Sequence, residues 1–164
     1  MDKKLLDLIK SEYEFLNDVL LNLGYIYDTI DERFKDKSRF EQDSKYTKDK
    51  IESLSDSLKN LKDNDKKMKK QIKVEKNNLP SLASLLKRDP MHPFNRLEIL
   101  FEGALQLLSR YARLVNDNKD KFINGELKSA QVMEFHKDFG EYYDAHEDNF
   151  KDMKKYIEEI RRTK

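Results

Sequence analysis

The stretch IESLSDSLKNLKDNDKKMKKQI, Ile51 to Ile72, decides the fold. Ile51, Leu54, Leu58, Leu61, Asp65, Met68 and Ile72 alternate three and four apart, and the same register reaches back through Thr47 and Ser44 to Phe40. That is the spacing of a coiled-coil seam, whereas a strand would alternate every second residue. At about 1.5 Å per residue, a helix over this run is a rod of roughly 50 Å. A helix is expected over 39–76, ended by Asn77-Asn78-Leu79-Pro80.

Working outward, the same period recurs on both sides. Leu5, Ile9, Leu16, Val19, Leu23, Ile26 and Ile30 step by threes and fours, interrupted only by Glu12, and predict a first helix over 3–34. Ser38 and Glu41 have the spacing of a capping box, which places a turn near 35–38. Pro80 followed by Leu82, Leu85 and Leu86 predicts a short helix over 80–87 across one end of the structure. Phe94, Leu97, Phe101, Ala104, Leu108, Tyr111 and Val115 predict a third long helix over 93–117, the candidate for the central position. Val132, Phe135, Phe139, Tyr142, His146, Phe150, Met153, Ile157 and Ile160 predict a fourth over 128–162.

Composition agrees with these elements. Forty per cent of residues are charged, and four Gly and three Pro in 164 positions leave little room for turns. The expectation is an all-α fold: one elongated antiparallel bundle of three to four long helices with coiled-coil-like packing, forming a single domain over 1–164. Short connections make successive helices antiparallel.

Several function classes fall away at this level. There is no Cys, so disulfides, thiolate zinc sites and cysteine nucleophiles are excluded. Thirty-three Lys and Arg against 32 Asp and Glu remove the whole-molecule attraction to nucleic acid or anionic lipid that a strongly basic protein carries, leaving only local patches. The N-terminal apolar run is broken by Asp7 and does not read as a signal peptide, and the Ile99–Leu108 stretch is too short to span a membrane. A cytoplasmic location is expected, with a secreted form whose leader has been removed left open.

Candidate chemistry is sparse. The residues 116–127 carry acids and a Gly, but no count places the Gly and the bidentate carboxylate of a calcium loop correctly, so an interhelical turn is expected. The three histidines, His92, His136 and His146, form neither an i, i+4 pair nor the Glu-x-x-His arrangement of di-iron bundles. His146 takes a seam position at roughly the height of Glu12, Asp65 and Arg96 or Glu102, which suggests a polar core layer that fixes register; metal or ligand binding there is the sharper alternative. No catalytic constellation, metal set or cofactor motif stands out.

Three surfaces remain as candidate contact sites. Leu100, Leu107 and Leu114 form a second stripe on the third helix, more apolar width than a narrow bundle covers. Gly24 and Gly140 lie near Tyr25, Tyr27, Tyr142 and Tyr143, consistent with close helix approach or an aromatic contact face. Lys66, Lys67, Lys69, Lys70, Lys73 and Lys76 concentrate positive charge at one end, where Arg161 and Arg162 are expected to join them. The leading expectation is a non-enzymatic protein-interaction or scaffolding module, whose partner is another protein or a second copy in a homo-oligomer. The alternative is a peripheral bundle that sets the basic segment against anionic lipid.

Overall fold

Asp2 starts the first helix, its carboxylate accepting from the backbone N–H of Lys4 at 3.3 Å, and the 3.6-residue period then carries α1 from Lys3 to Lys35 without a break. The computed structural model describes residues 1–36 and 40–162, with the side chains of 40–42 outside that description. Ser38 and the Glu41 side chain, read above as a capping box, therefore lie outside the described part.

The remaining elements are α2 (Phe40–Asn78), α3 (Pro80–Arg88), α4 (Pro93–Asp117), α5 (Lys119–Asn124) and α6 (Ala130–Arg162). No strand occurs among the described residues, and no helix is long and apolar enough to cross a membrane. Pro80 and Pro93 each sit in the first turn of their helices, where a missing N–H leaves no bond unmade. His92 caps α4, its Nδ1 accepting from the Phe94 N–H at 3.2 Å.

The long helices run up, down, up and down. Asn64 of α2 reaches Leu8 of α1, and Asn22 of α1 reaches Ser57, so the pair is antiparallel. Lys69 meets Glu102 while Ser55 meets Asn116, which sets α2 against α4 in the same sense. Tyr111 lies by Asp138, and Tyr13 by Phe150, which orders α6 against α4 and α1. Both α1 and α4 pack on all three other long helices. The expected central helix, α4, thus shares the centre with α1, and α2 and α6 take the outer corners.

The core follows from that placement. Leu16, Val19, Leu20, Leu23, Ile26 and Ile30 of α1 are completely buried, as are Leu54 and Leu61 of α2, Leu108 and Val115 of α4, and Phe135, Phe139 and Met153 of α6. Burying a side chain of this size contributes about 1.5–3 kcal/mol. The seam read from Ile51 to Ile72 is therefore the inner face of α2.

One element was not expected. The 116–127 connection contains the six-residue α5, closed by Gly125 at φ 69°, a left-handed conformation suited to glycine. Phe122 anchors it, edge-on to Phe135 at 5.3 Å. Six residues are too few to display a helical period, so composition showed only a polar turn.

Candidate functional site

Adjacent residues of a helix point about 100° apart, and at Glu12 and Tyr13 this decides which groups can meet. Tyr13 faces α6 and packs edge-on against Phe150 at 5.9 Å. Glu12 faces α2, where its Oε1 accepts from the Asn64 side-chain amide at 3.2 Å. Asp65 lies beside it and pairs with Lys69 at 2.9 Å, and Lys69 reaches on to Glu102 at 3.1 Å. The expected polar layer thus exists on α1, α2 and α4, without its α6 member.

His146 lies elsewhere. Its ring stacks on Tyr143 at 4.8 Å and meets Phe150 edge-on, and its Nδ1 contacts the Tyr143 carbonyl oxygen. Equal height along the bundle is not enough, because α6 approaches α1 on the flank away from Glu12. Arg96 is also outside the layer, its guanidinium lying against the Met91 sulfur.

Glu12 is 1% exposed, and its Oε2 has no hydrogen-bond partner. Burial first, and then the neighbouring Asp65, push its carboxyl up to about 9. The group is consequently neutral at ordinary pH, and a proton on Oε2 gives that orphan oxygen a donor to offer Asp65. Lys69 lies between the two remaining acids, its ammonium stabilised first by Asp65 and then by Glu102. Glu12 and Asp65 are buried within the bundle while Lys69 and Glu102 reach solvent, so the inner pair acts structurally and favours one register, as polar seam residues do in coiled coils. No group of three or more potential metal-ligating His, Cys, Asp or Glu side chains occurs among the described residues.

The glycine and tyrosine residues form a reciprocal contact. Gly24 and Tyr27 are three apart on α1, as Gly140 and Tyr143 are on α6. The Tyr143 ring covers Gly24, where an added Cβ would lie 2.8 Å from its Cε2, and the Tyr27 ring covers Gly140 with a corresponding distance of 3.0 Å. His136 stacks on Tyr27 at 5.3 Å and bonds Asp31 at 3.0 Å. Tyr142 turns to the other flank and meets Tyr111 at 5.9 Å, where burial pushes its hydroxyl up to about 12. Tyr27, Tyr142 and Tyr143 are thus half-buried and packed between helices, the close helix approach that the two glycines suggested. Tyr25 is exposed but carries Lys50, whose ammonium lies 4.4 Å from the ring centre.

Arg33 had no signal in the sequence. A basic residue in the last turn of a helix ordinarily complements the helix dipole in solvent. Here it is fully buried, donating to the Phe122 carbonyl at 2.7 Å and to the Thr47 hydroxyl at 3.3 Å. It ties α1 to α2 and α5, beside a cleft of about 700 Å³ bordered by Phe34 and residues 125–129.

The outer face of α4 is organised differently. Leu100 and Leu114, from the expected second stripe, are half-buried, and Leu107 is 37% exposed. The most open apolar residue is Ile99, 68% exposed, which the stripe did not include. Between Ile99 and Leu107, four residues from each, lies exposed Gly103, with nothing within 4 Å of the place a Cβ would take. Beside them Lys62, Leu105, Gln106, Ser109, Arg110 and Arg113 line a groove of about 290 Å³. Arg110 is held by Glu134 at 3.2 Å; Lys62 and Arg113 take part in no ion pair among the described residues.

The basic segment divides in two. Lys69 and Lys76 are engaged by acids, Lys76 with Glu98 at 3.7 Å, whereas Lys66, Lys67, Lys70 and Lys73 point into solvent. Arg161 and Arg162 are exposed at the same end of the bundle, Arg161 close to Glu158. No known family, curated protein or solved structure matches this chain.

Proposed function

We propose that this protein is a non-enzymatic helical docking module whose outer α4 face receives an amphipathic helix from a protein partner. The observation that carries this reading is the Ile99, Gly103, Leu107 row: two exposed apolar side chains flank a glycine above which space is open. A helix crossing at glycine can approach closely and cover both neighbours. Exposed apolar residues occurring singly need no explanation; a row with a gap at its centre and half-buried leucines beside it does.

Charge selects the partner. A second copy laid antiparallel across Gly103 would set Arg96 opposite Arg110, since the two lie equally far on either side. Like charges opposed in this way disfavour a self-pair. With Lys62 and Arg113 along the adjacent groove, the surface fits a helix whose flanks are acidic. A cytoplasmic setting belongs to the same proposal, since a chain without Cys needs no oxidising compartment.

Calorimetry with two synthetic amphipathic helices, identical in their leucine face but flanked by Glu in one and Lys in the other, tests this. Preference for the Glu-flanked peptide, abolished by Ile99→Asp and by Gly103→Leu, is expected. Equal binding of both peptides, binding that survives both substitutions, or binding of neither peptide overturns the reading.

A further inference from the structure

We infer that the end of the bundle carrying α3 docks on an anionic bilayer surface, with α3 and the turn after it entering the interface. This is independent of the α4 face, which lies along the side of the rod.

Two kinds of surface coincide at this end. The first is apolar: Leu79 is 43% exposed, Leu85 41% and Met91 64%. Leu86 is buried against the bundle and Leu82 is half-buried against the core, which leaves Leu79 and Leu85 as the open leucines of this end. The second is cationic. Lys87 and Arg88 end α3, and α3 packs on α2, whose exposed Lys66, Lys67, Lys70 and Lys73 cover about 10 Å of helix. Arg161 and Arg162 close the set at the end of α6.

Asp7 and Glu158 are exposed at this end, Glu158 beside Arg161, but four other acids are turned to internal tasks. Asp2 caps α1, Glu75 is buried and accepts from the Asp2 N–H, Asp89 accepts from the Met91 N–H at 3.1 Å, and Glu98 holds Lys76. The outward charge is positive although the whole chain is nearly neutral, at a formal +1.

Exposed apolar residues ringed by lysine are what an anionic interface recognises: the cations gather at the headgroups while Leu and Met pass the boundary. Lysine suits this, because a smeared negative surface makes no use of the bidentate geometry that favours arginine. Nucleic acid fits less well, since no aromatic residue occurs between Lys66 and Arg88 for bases to stack on.

The chain contains no Trp, so Met91→Trp gives a single fluorescent reporter at an exposed position. Vesicles of phosphatidylcholine with about one third phosphatidylserine should bind this variant and shift its emission to the blue. Pure phosphatidylcholine should not, and about 0.5 M salt should release it. Lys70→Glu with Lys73→Glu should weaken binding by more than about tenfold, and Leu85→Ser with Met91→Ser should weaken the otherwise unmodified protein comparably. Both pairs are exposed, so circular dichroism should show the fold intact, and Ile99→Asp should leave vesicle binding unchanged. No binding to anionic vesicles at low salt overturns the inference. So does binding without a blue shift, or binding to heparin that equals binding to vesicles and ignores Leu85 and Met91, since either describes a polyanion surface.

Discussion

Three helical glycines of this chain sit in two kinds of surroundings, and a methyl group added to each would report which. Ala at Gly103 meets open space, so the change gains helix propensity and should raise stability by about 0.5–1 kcal/mol. Ala at Gly24 drives a Cβ to 2.8 Å from the Tyr143 ring, and overpacking of this kind costs about 1–3 kcal/mol. Chemical denaturation of the two variants checks the split; a gain at Gly24 or a loss at Gly103 would contradict the packing described. Spacing alone brought Gly24 and Gly140 to similar heights, but not the side chain that lies over each. Glu12 makes the second residue-scale expectation. Its folded pKa, about 9, exceeds the ordinary 4.5, so between those values the folded protein keeps a proton that the unfolded chain has released. Its contribution is full below about 4.5, falls as pH rises through the window and levels off above about 9. Glu12→Gln supplies a neutral side chain of the same shape, so the variant should be flatter from pH 5 to 9 and more stable than the natural protein at pH 8. A difference between the two that does not change with pH would mean that Glu12 is ionised inside the bundle.

Among the elements, the long helices were legible because each repeats its period over many turns, so one ambiguous residue does not disturb the pattern. Ile51 to Ile72 shows this, since even Asp65, a polar member of the series, is buried as the register requires. α5 was not legible: it has one buried side chain, Phe122, and its position depends on a partner 89 residues away. That partner is Arg33, and removing it should separate α5 from the rest. Arg33→Ala leaves the Phe122 carbonyl without its charged donor, a loss of about 1–3 kcal/mol. Amide exchange should accelerate at residues 119–124 well before it does in the middle of α1 or α6, and uniform acceleration would argue against α5 being held mainly through Arg33. His146 shows a limit of the same kind. Its height matched the Glu12 layer, but height does not tell which flank of α1 the fourth long helix occupies. The Tyr27 and Tyr143 contacts with the two glycines lie on that flank.

Taken as a whole molecule, the chain is a rod because four helices of 25 to 39 residues run side by side. At about 1.5 Å per residue the longest approaches 60 Å. Such a shape keeps its ends and sides apart, so the α3 end can meet a bilayer while the α4 face meets a protein. It also exposes much surface, which explains why heavy charge coexists with a continuous core. The surfaces themselves were only partly readable: Leu107 was anticipated, whereas Ile99 and the gap at Gly103 became visible once α2 and α6 were seen to leave that flank uncovered. Light scattering coupled to size exclusion, over a wide range of concentration, addresses the α4 proposal most directly. A monomer throughout is expected, because Arg96 and Arg110 oppose self-pairing and keep the row from Ile99 to Leu107 free for a different helix. A stable dimer that Ile99→Asp dissociates would contradict this and assign the face to a second copy of the chain.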